Sequence, residues 1–194
     1  MRSVEINRKT KETDINLYLN LDGSGESDID TGVGFLDHML TLFAKHGGFD
    51  LNITCKGDLE VDNHHSIEDI GIALGQAIAS CLEDKNGITR YGCVFLPMDE
   101  SLVQVTMDIS GRSYLVFNCD FTREFVGDME TEMVEEFFRA VSDNSRITLH
   151  ITCLYGKNSH HIIEAMFKGF GQCLKKAVKI DENIKGVLST KGVL

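Results

Sequence analysis

Four of the seven histidines fall in two copies of one arrangement, His64-His65-Ser66-Ile67-Glu68 and His160-His161-Ile162-Ile163-Glu164. On a helix a four-residue step returns to the same face, so His64 and Glu68 share a side, as do His160 and Glu164. An imidazole and a carboxylate one turn apart form a natural chelate for a divalent cation. His65 and His161 are turned about 100° away and reach a different ion, or the same one only from a distorted helix start. The set contains no thiolate, so the fitting ions are Mn, Fe, Co, Ni or Zn in a nitrogen–oxygen shell. A single HHxxE reads as an ordinary solvated helix start. Two copies at equivalent places read as metal ligands, and spacing leaves open whether the helices meet within one chain or across a subunit boundary.

Other residues fit the same chemistry less sharply. His38, in Phe35-Leu36-Asp37-His38-Met39-Leu40, lies on an otherwise apolar helix face, where a histidine is structural unless a metal cluster is near. His46 ends that stretch ahead of Gly47-Gly48, where it serves either as a cationic cap or as a ligand. Arg90 and Arg112 flank strand-like segments, and Lys168 follows Glu164 by one turn; each is a surface charge or an anion contact. The tail Leu188-Ser189-Thr190-Lys191-Gly192 puts hydroxyls beside a lysine. Gly32-Val33-Gly34 lacks dinucleotide-loop spacing and reads as a plain loop.

The elements that must position these groups occur twice. Leu51-Asn52-Ile53-Thr54-Cys55 returns as Leu149-His150-Ile151-Thr152-Cys153, the two HHxxE segments follow, and Gly75-Gln76 returns as Gly171-Gln172. Residues 12–23 (ETDINLYLNLDG) resemble residues 100–111 (ESLVQVTMDISG) more weakly. The matches keep one order, which reads as a tandem duplication with halves 1–90 and 91–185 and a tail at 186–194. In each half, alternating apolar residues (Ile15, Leu17, Leu19, Leu21; Val103, Val105, Met107, Ile109) predict half-buried strands. Residues 35–45 and 133–141 carry helical apolar stripes. A strand follows each stripe, and a second helix begins near each His-His pair, with Asp62 or Asn63 and Asn158 or Ser159 as N-caps. The result is an α+β fold, an internally duplicated β-sheet with paired helices on one face.

Composition narrows the function classes. The 194 residues carry 19 Lys+Arg against 30 Asp+Glu, a formal charge of −11, which argues against a general nucleic-acid or anionic-membrane binder. No apolar run approaches a membrane span, and the first residues lack a signal-peptide core, so a soluble cytoplasmic protein is expected. The six cysteines form no CxxC pair and read as reduced packing residues.

Taken together, ETDINLYLNLDG, TGVGFLDHMLTLFAKHGGFDL, DNHHSIEDIGIALGQA, RYG, PMDESL, GRSYLVF, NSHHIIEAMFKGFGQCL and STKGVL span nearly the whole chain. In this order they resemble the imidazoleglycerol-phosphate dehydratases of histidine biosynthesis. The resemblance implies a duplicated fold similar to ribosomal protein S5 domain 2. It also implies a homo-oligomer of 24 subunits in octahedral symmetry, with active sites between subunits and two Mn²⁺ per site. The reaction it implies is dehydration of D-erythro-imidazole-glycerol phosphate to imidazole-acetol phosphate through a metal-stabilised imidazolate. Carried over, the metal ligands are His38, His64, His65, Glu68, His160, His161 and Glu164. Glu136 stands where many relatives have a histidine ligand, and it aligns with His38 across the repeat. Glu164 is expected as the base and Glu12 as the group serving the departing water. Arg90, Arg112, Lys168, Ser189, Thr190, Lys191 and His46 are expected to bind the substrate and its phosphate, with the tail closing the site. Two rivals remain at this stage: a two-metal phosphoester hydrolase, and a non-catalytic metal-assembled shell.

Overall fold

The computed structural model describes residues 2–194. The first half runs β1 (Ser3–Lys9), β2 (Thr13–Asn20), β3 (Ser27–Asp30), α1 (Gly34–Gly47), β4 (Asp50–Gly57) and α2 (His64–Leu82). The second runs β5 (Tyr91–Met98), β6 (Ser101–Asp108), β7 (Tyr114–Asn118), a small hairpin of β8 (Phe125–Val126) and β9 (Met129–Glu130), α3 (Met133–Ser145), β10 (Thr148–Tyr155) and α4 (Ser159–Ala177). The two main sheets have the orders β1-β2-β4-β3 and β5-β6-β10-β7, the same topology built twice.

Register repeats as well as order. Ile15, Leu17 and Leu19 lie opposite Cys55, Ile53 and Leu51; Val103, Val105 and Met107 lie opposite Cys153, Ile151 and Leu149. Period-two alternation turns all of these to one face, and they are buried or nearly so. The helices cover that face: α2 packs on β1 and β2, α4 on β5 and β6, α1 on β3 and α3 on β7.

The helices also pair across the duplication, α1 with α4 and α2 with α3, so the two halves share one core. Close approach at both crossings depends on the repeated glycine. A Cβ on Gly75 would lie 2.7 Å from the Val141 carbonyl oxygen of α3, and one on Gly171 would lie 2.5 Å from the Phe43 carbonyl oxygen of α1. Phe43 of α1 stacks on Phe170 of α4 at 5.2 Å between ring centroids, and Phe138 of α3 meets Phe167 of α4 at 4.9 Å. Each such ring, fully buried, stabilises the fold by roughly 1.5–3 kcal/mol. Because the aromatic filling comes from both halves, neither sheet buries its apolar face alone. No helix is long and apolar enough to cross a membrane.

The halves differ most in one connection. Residues 31–33 join β3 to α1, whereas residues 119–132, containing β8 and β9, join β7 to α3.

Candidate metal centre

Crossing α1 over α4 brings three side chains from opposite halves together. His38 Nε2 lies 2.8 Å from Glu164 Oε1, and His160 Nε2 lies 3.3 Å from the same oxygen. Among the described residues, His38, His160 and Glu164 are the one His/Cys/Asp/Glu set whose ligand atoms all lie within 4.8 Å of one another. Two imidazole nitrogens and a carboxylate oxygen fit a borderline divalent ion such as Mn²⁺ or Zn²⁺. Helix periodicity explains the pair on α4, since His160 and Glu164 are one turn apart; tertiary packing adds His38.

Glu164 is buried, and its second oxygen accepts from Lys168 Nζ at 2.6 Å. Burial opposes its charge, but Lys168, His38 and His160 together outweigh that and hold the carboxyl at about 2. The group is a fixed anion at neutral pH. His46 lies further along α1; burial first, and then the Lys168 charge, push its pKa below the usual histidine range. A neutral imidazole beside an ammonium can accept or donate a hydrogen bond to a ligand.

The second histidine of each pair is oriented by a carboxylate. His65 Nδ1 lies 3.0 Å from Asp58 Oδ2, and His161 Nδ1 lies 2.7 Å from Glu100 Oε2. The carboxylates accept, so each neutral ring keeps its proton on Nδ1 and presents the Nε2 lone pair. These hydrogen bonds are the main cause of raised pKa values at His65 and His161. Reciprocally, His161, followed by the Asn158 amide, holds Glu100 well below the usual carboxylate range. Glu12 Oε1 lies 3.9 Å from His65 Nε2. Asp58 and Glu100 are partners of candidate ligands that sequence reasoning missed, although the repeat match aligning Glu100 with Glu12 was a visible signal for the latter.

The α2–α3 pair does not close in the same way. His64 is exposed, Glu68 is half-buried, and Glu136 lies 3.5 Å from the Arg139 Nε of its own helix. His64, Glu68 and Glu136 therefore occupy equivalent positions without converging. The expected helix starts are present: Asn158 Oδ1 accepts from the His160 amide, and Asp62 Oδ1 accepts from the His64 amide.

The anion-binding candidates divide into two places. Lys168 and His46 belong to the α1–α4 cluster. Arg90, Arg112 and the tail gather elsewhere: Arg90 grips Asp108 at 2.6 and 3.1 Å and donates from Nη1 to the Leu188 carbonyl at 2.6 Å. A Cβ on Gly111, beside Arg112, would lie 2.7 Å from the Leu194 carbonyl carbon. Ser189 Oγ accepts from the Lys191 amide at 3.2 Å, curling Ser189, Thr190 and Lys191 into a turn. The Arg90 amide donates to the Ala177 carbonyl at the far end of α4, and Glu164 and Ala177 are about 20 Å apart along the axis at 1.5 Å per residue. One chain therefore holds its metal cluster and its arginine cluster well apart.

Fold and donor set together define a duplicated α+β protein with a centre suited to a divalent cation. Comparison with known proteins narrows this class. A profile of the imidazoleglycerol-phosphate dehydratase family matches residues 31–174. The imidazoleglycerol-phosphate dehydratase of Acetivibrio thermocellus is 62% identical over 193 residues, covering 100% of this chain and 99% of that protein. The crystal structure of the Staphylococcus aureus enzyme superposes with a TM-score of 0.84 at 46% identity, over 92% of this chain and 99% of that one. The Pyrococcus furiosus structure gives the same TM-score at 40% identity, over 97% and 100%. The chain belongs to the imidazoleglycerol-phosphate dehydratase family.

Proposed function

We propose that this chain removes water from D-erythro-imidazole-glycerol phosphate to give imidazole-acetol phosphate in histidine biosynthesis, working in the cytoplasm. The observation that carries this reading is the convergence of His38, His160 and Glu164, beside Lys168, in a chain of this family. His38, His160 and Glu164 would hold one Mn²⁺, and His64, Glu68 and Glu136 a second. His65 and His161 face away from their own helix's cluster and would complete shells on neighbouring subunits. When bound, the ions supply Lewis-acid polarisation and a template for the azole nitrogens.

The chain's own groups divide the remaining work. Glu164, held ionised by Lys168, His38 and His160, would serve both as an anionic ligand and as the base. Glu12, half-exposed near His65 Nε2, is free to move a proton at the reacting carbon or the departing hydroxyl. Arg90, Arg112, Ser189, Thr190 and Lys191 would orient the phosphate dianion. Arg90 commits part of its donor fork to Asp108 and Leu188 and keeps N–H groups free for phosphate oxygens.

The distance along α4 between the two clusters exceeds the span of a glycerol phosphate. It supports an active site in which one subunit supplies ions and another supplies arginines, with the 186–194 tail closing over the substrate. A 24-subunit homo-oligomer of octahedral symmetry would create such sites, with halves 1–90 and 91–185 as its repeating unit.

Incubation of Mn²⁺-loaded protein with the substrate is expected to yield the enolisable ketone without inorganic phosphate. Release of phosphate would replace this reading with a phosphoester hydrolase. No turnover by metal-loaded protein would replace it with a metal-assembled shell.

A further inference from the structure

The long connection of the second half, residues 119–132, reaches at its tip the starts of the two helices that carry the first-half histidines. Gly127, at φ +63, makes the two-residue turn between Val126 and Met129 and places Asp128 at the hairpin tip. Both flanking residues are buried, and Thr131 ties the hairpin base by donating from Oγ1 to the Arg123 carbonyl at 2.8 Å. The tip is therefore anchored on its own strands.

Asp128 makes three hydrogen bonds outside the hairpin. Its Oδ2 accepts from the Gly34 amide at 2.7 Å and its Oδ1 from the Phe35 amide at 3.0 Å. These are the first two amides of α1, whose own preceding residue, Val33, has no side chain able to cap them. Its backbone carbonyl accepts from Asn63 Nδ2 at 3.0 Å, and Asn63 is the buried residue directly before His64. One residue from the second half thus caps the helix bearing His38 and holds the start of the helix bearing His64, His65 and Glu68. A carboxylate at a helix N-terminus also meets the positive end of the helix dipole.

We propose that Asp128 is a positioning residue, which sets the starts of α1 and α2 at a fixed separation and thereby places first-half ligands for metal. The inference rests on the metal reading of the site given above. Ligand groups one step removed from the ion hold its geometry, and losing them weakens metal binding about 10–100-fold.

The test is a Mn²⁺ titration of the full protein, read by the electron paramagnetic resonance signal of free Mn²⁺, alongside melting temperature. Asp128→Ala, one contact further from the ion than such groups, is expected to weaken Mn²⁺ binding several-fold. Asp128→Asn, which keeps one of the two acceptor oxygens, is expected to restore part of it. Ile88→Ala, a buried change at the distant end of α4, is expected to lower the melting temperature without weakening Mn²⁺ binding. Unchanged affinity in Asp128→Ala, or equal losses in Asp128→Ala and Ile88→Ala, would overturn the proposal. If Asp128→Ala does not fold, Asn63→Ala removes the carbonyl contact alone; a several-fold weaker affinity supports the proposal and an unchanged one overturns it. Wild-type protein that takes up no Mn²⁺ would instead overturn the metal reading itself.

Discussion

The two helix crossings are built from the same repeat, yet α1–α4 closes a ligand cluster and α2–α3 leaves its ligands apart. Two substitutions across the duplication, together with Arg139 on α3, account for the difference. His38 on α1 becomes Glu136 on α3, so the second crossing carries a carboxylate at the position where the first carries an imidazole. Lys168, which neutralises Glu164 at 2.6 Å, corresponds to Ile72 on α2, so nothing equivalent balances Glu68. Arg139 then draws Glu135 and Glu136 along their own helix, at 2.5 and 3.5 Å. Two like charges without a cation between them repel, and a metal ion is what would bring them together. The first crossing is preorganised by protein charges; the second would need an ion to close.

The largest expected effect comes from deleting the shared carboxylate. Glu164→Gln should cost activity at least about 100-fold, since a direct ligand is worth no less than its supporting groups, and should abolish the tighter of two Mn²⁺ uptake steps. Glu136→Gln should leave that step intact and weaken only the other. Isothermal titration separates the two, and loss of the same step in both variants would break the comparison.

Lys168→Met is the next largest. It leaves a buried carboxylate without its cation, a loss of about 3 kcal/mol for a pair of this burial. Urea unfolding in EDTA should register that loss, and saturating Mn²⁺ should recover much of it. A cost in EDTA no larger than that of an exposed ion pair would mean that Lys168 does not preorganise the crossing.

Protonation should act with opposite signs on the apoprotein and the metal complex. His65 and His161 have pKa values raised above 6.5 by Asp58 and Glu100. In metal-free protein their stabilisation is complete below the unfolded value and is lost as pH rises through the folded one. Mn²⁺ needs the neutral rings, so its affinity should increase over that same rise. Melting curves from about pH 6 to 8, with EDTA and with Mn²⁺, should therefore slope in opposite directions. Parallel slopes would remove these histidines from the metal shells.

The duplication, the strand faces and the HHxxE helix starts were legible because each is written in local periodicity. Leu51, Ile53 and Cys55 alternate with polar neighbours, and His160 and Glu164 repeat at one helical turn, whatever surrounds them. The cross-pairing of α1 with α4 was not legible, because an apolar stripe states that a helix is buried and not which helix covers it. The same limit hid the partnership of His38 with Glu164 and the ion pair of Lys168 with Glu164. The β8–β9 hairpin is too short to establish a period, and Asp128 acts on amides far away in sequence. Asp58 and Glu100 looked like ordinary surface acids until the fold set them on imidazole nitrogens.

The smallest effect sharpens the comparison most. Glu136→His restores at α3 the residue type that α1 carries, and removes one of the two carboxylates of the second crossing. The position is half-buried and its only ionic partner is the exposed Arg139, so metal-free stability should change by no more than about 1 kcal/mol. The second Mn²⁺ step should nevertheless move toward the first, because an imidazole can approach Glu68 without charge repulsion. It should not reach the first, because position 72 still lacks a cation; adding Ile72→Lys should close the rest of the gap. If Glu136→His alone makes the two steps equal, the imidazole rather than the lysine is what preorganises the α1–α4 crossing.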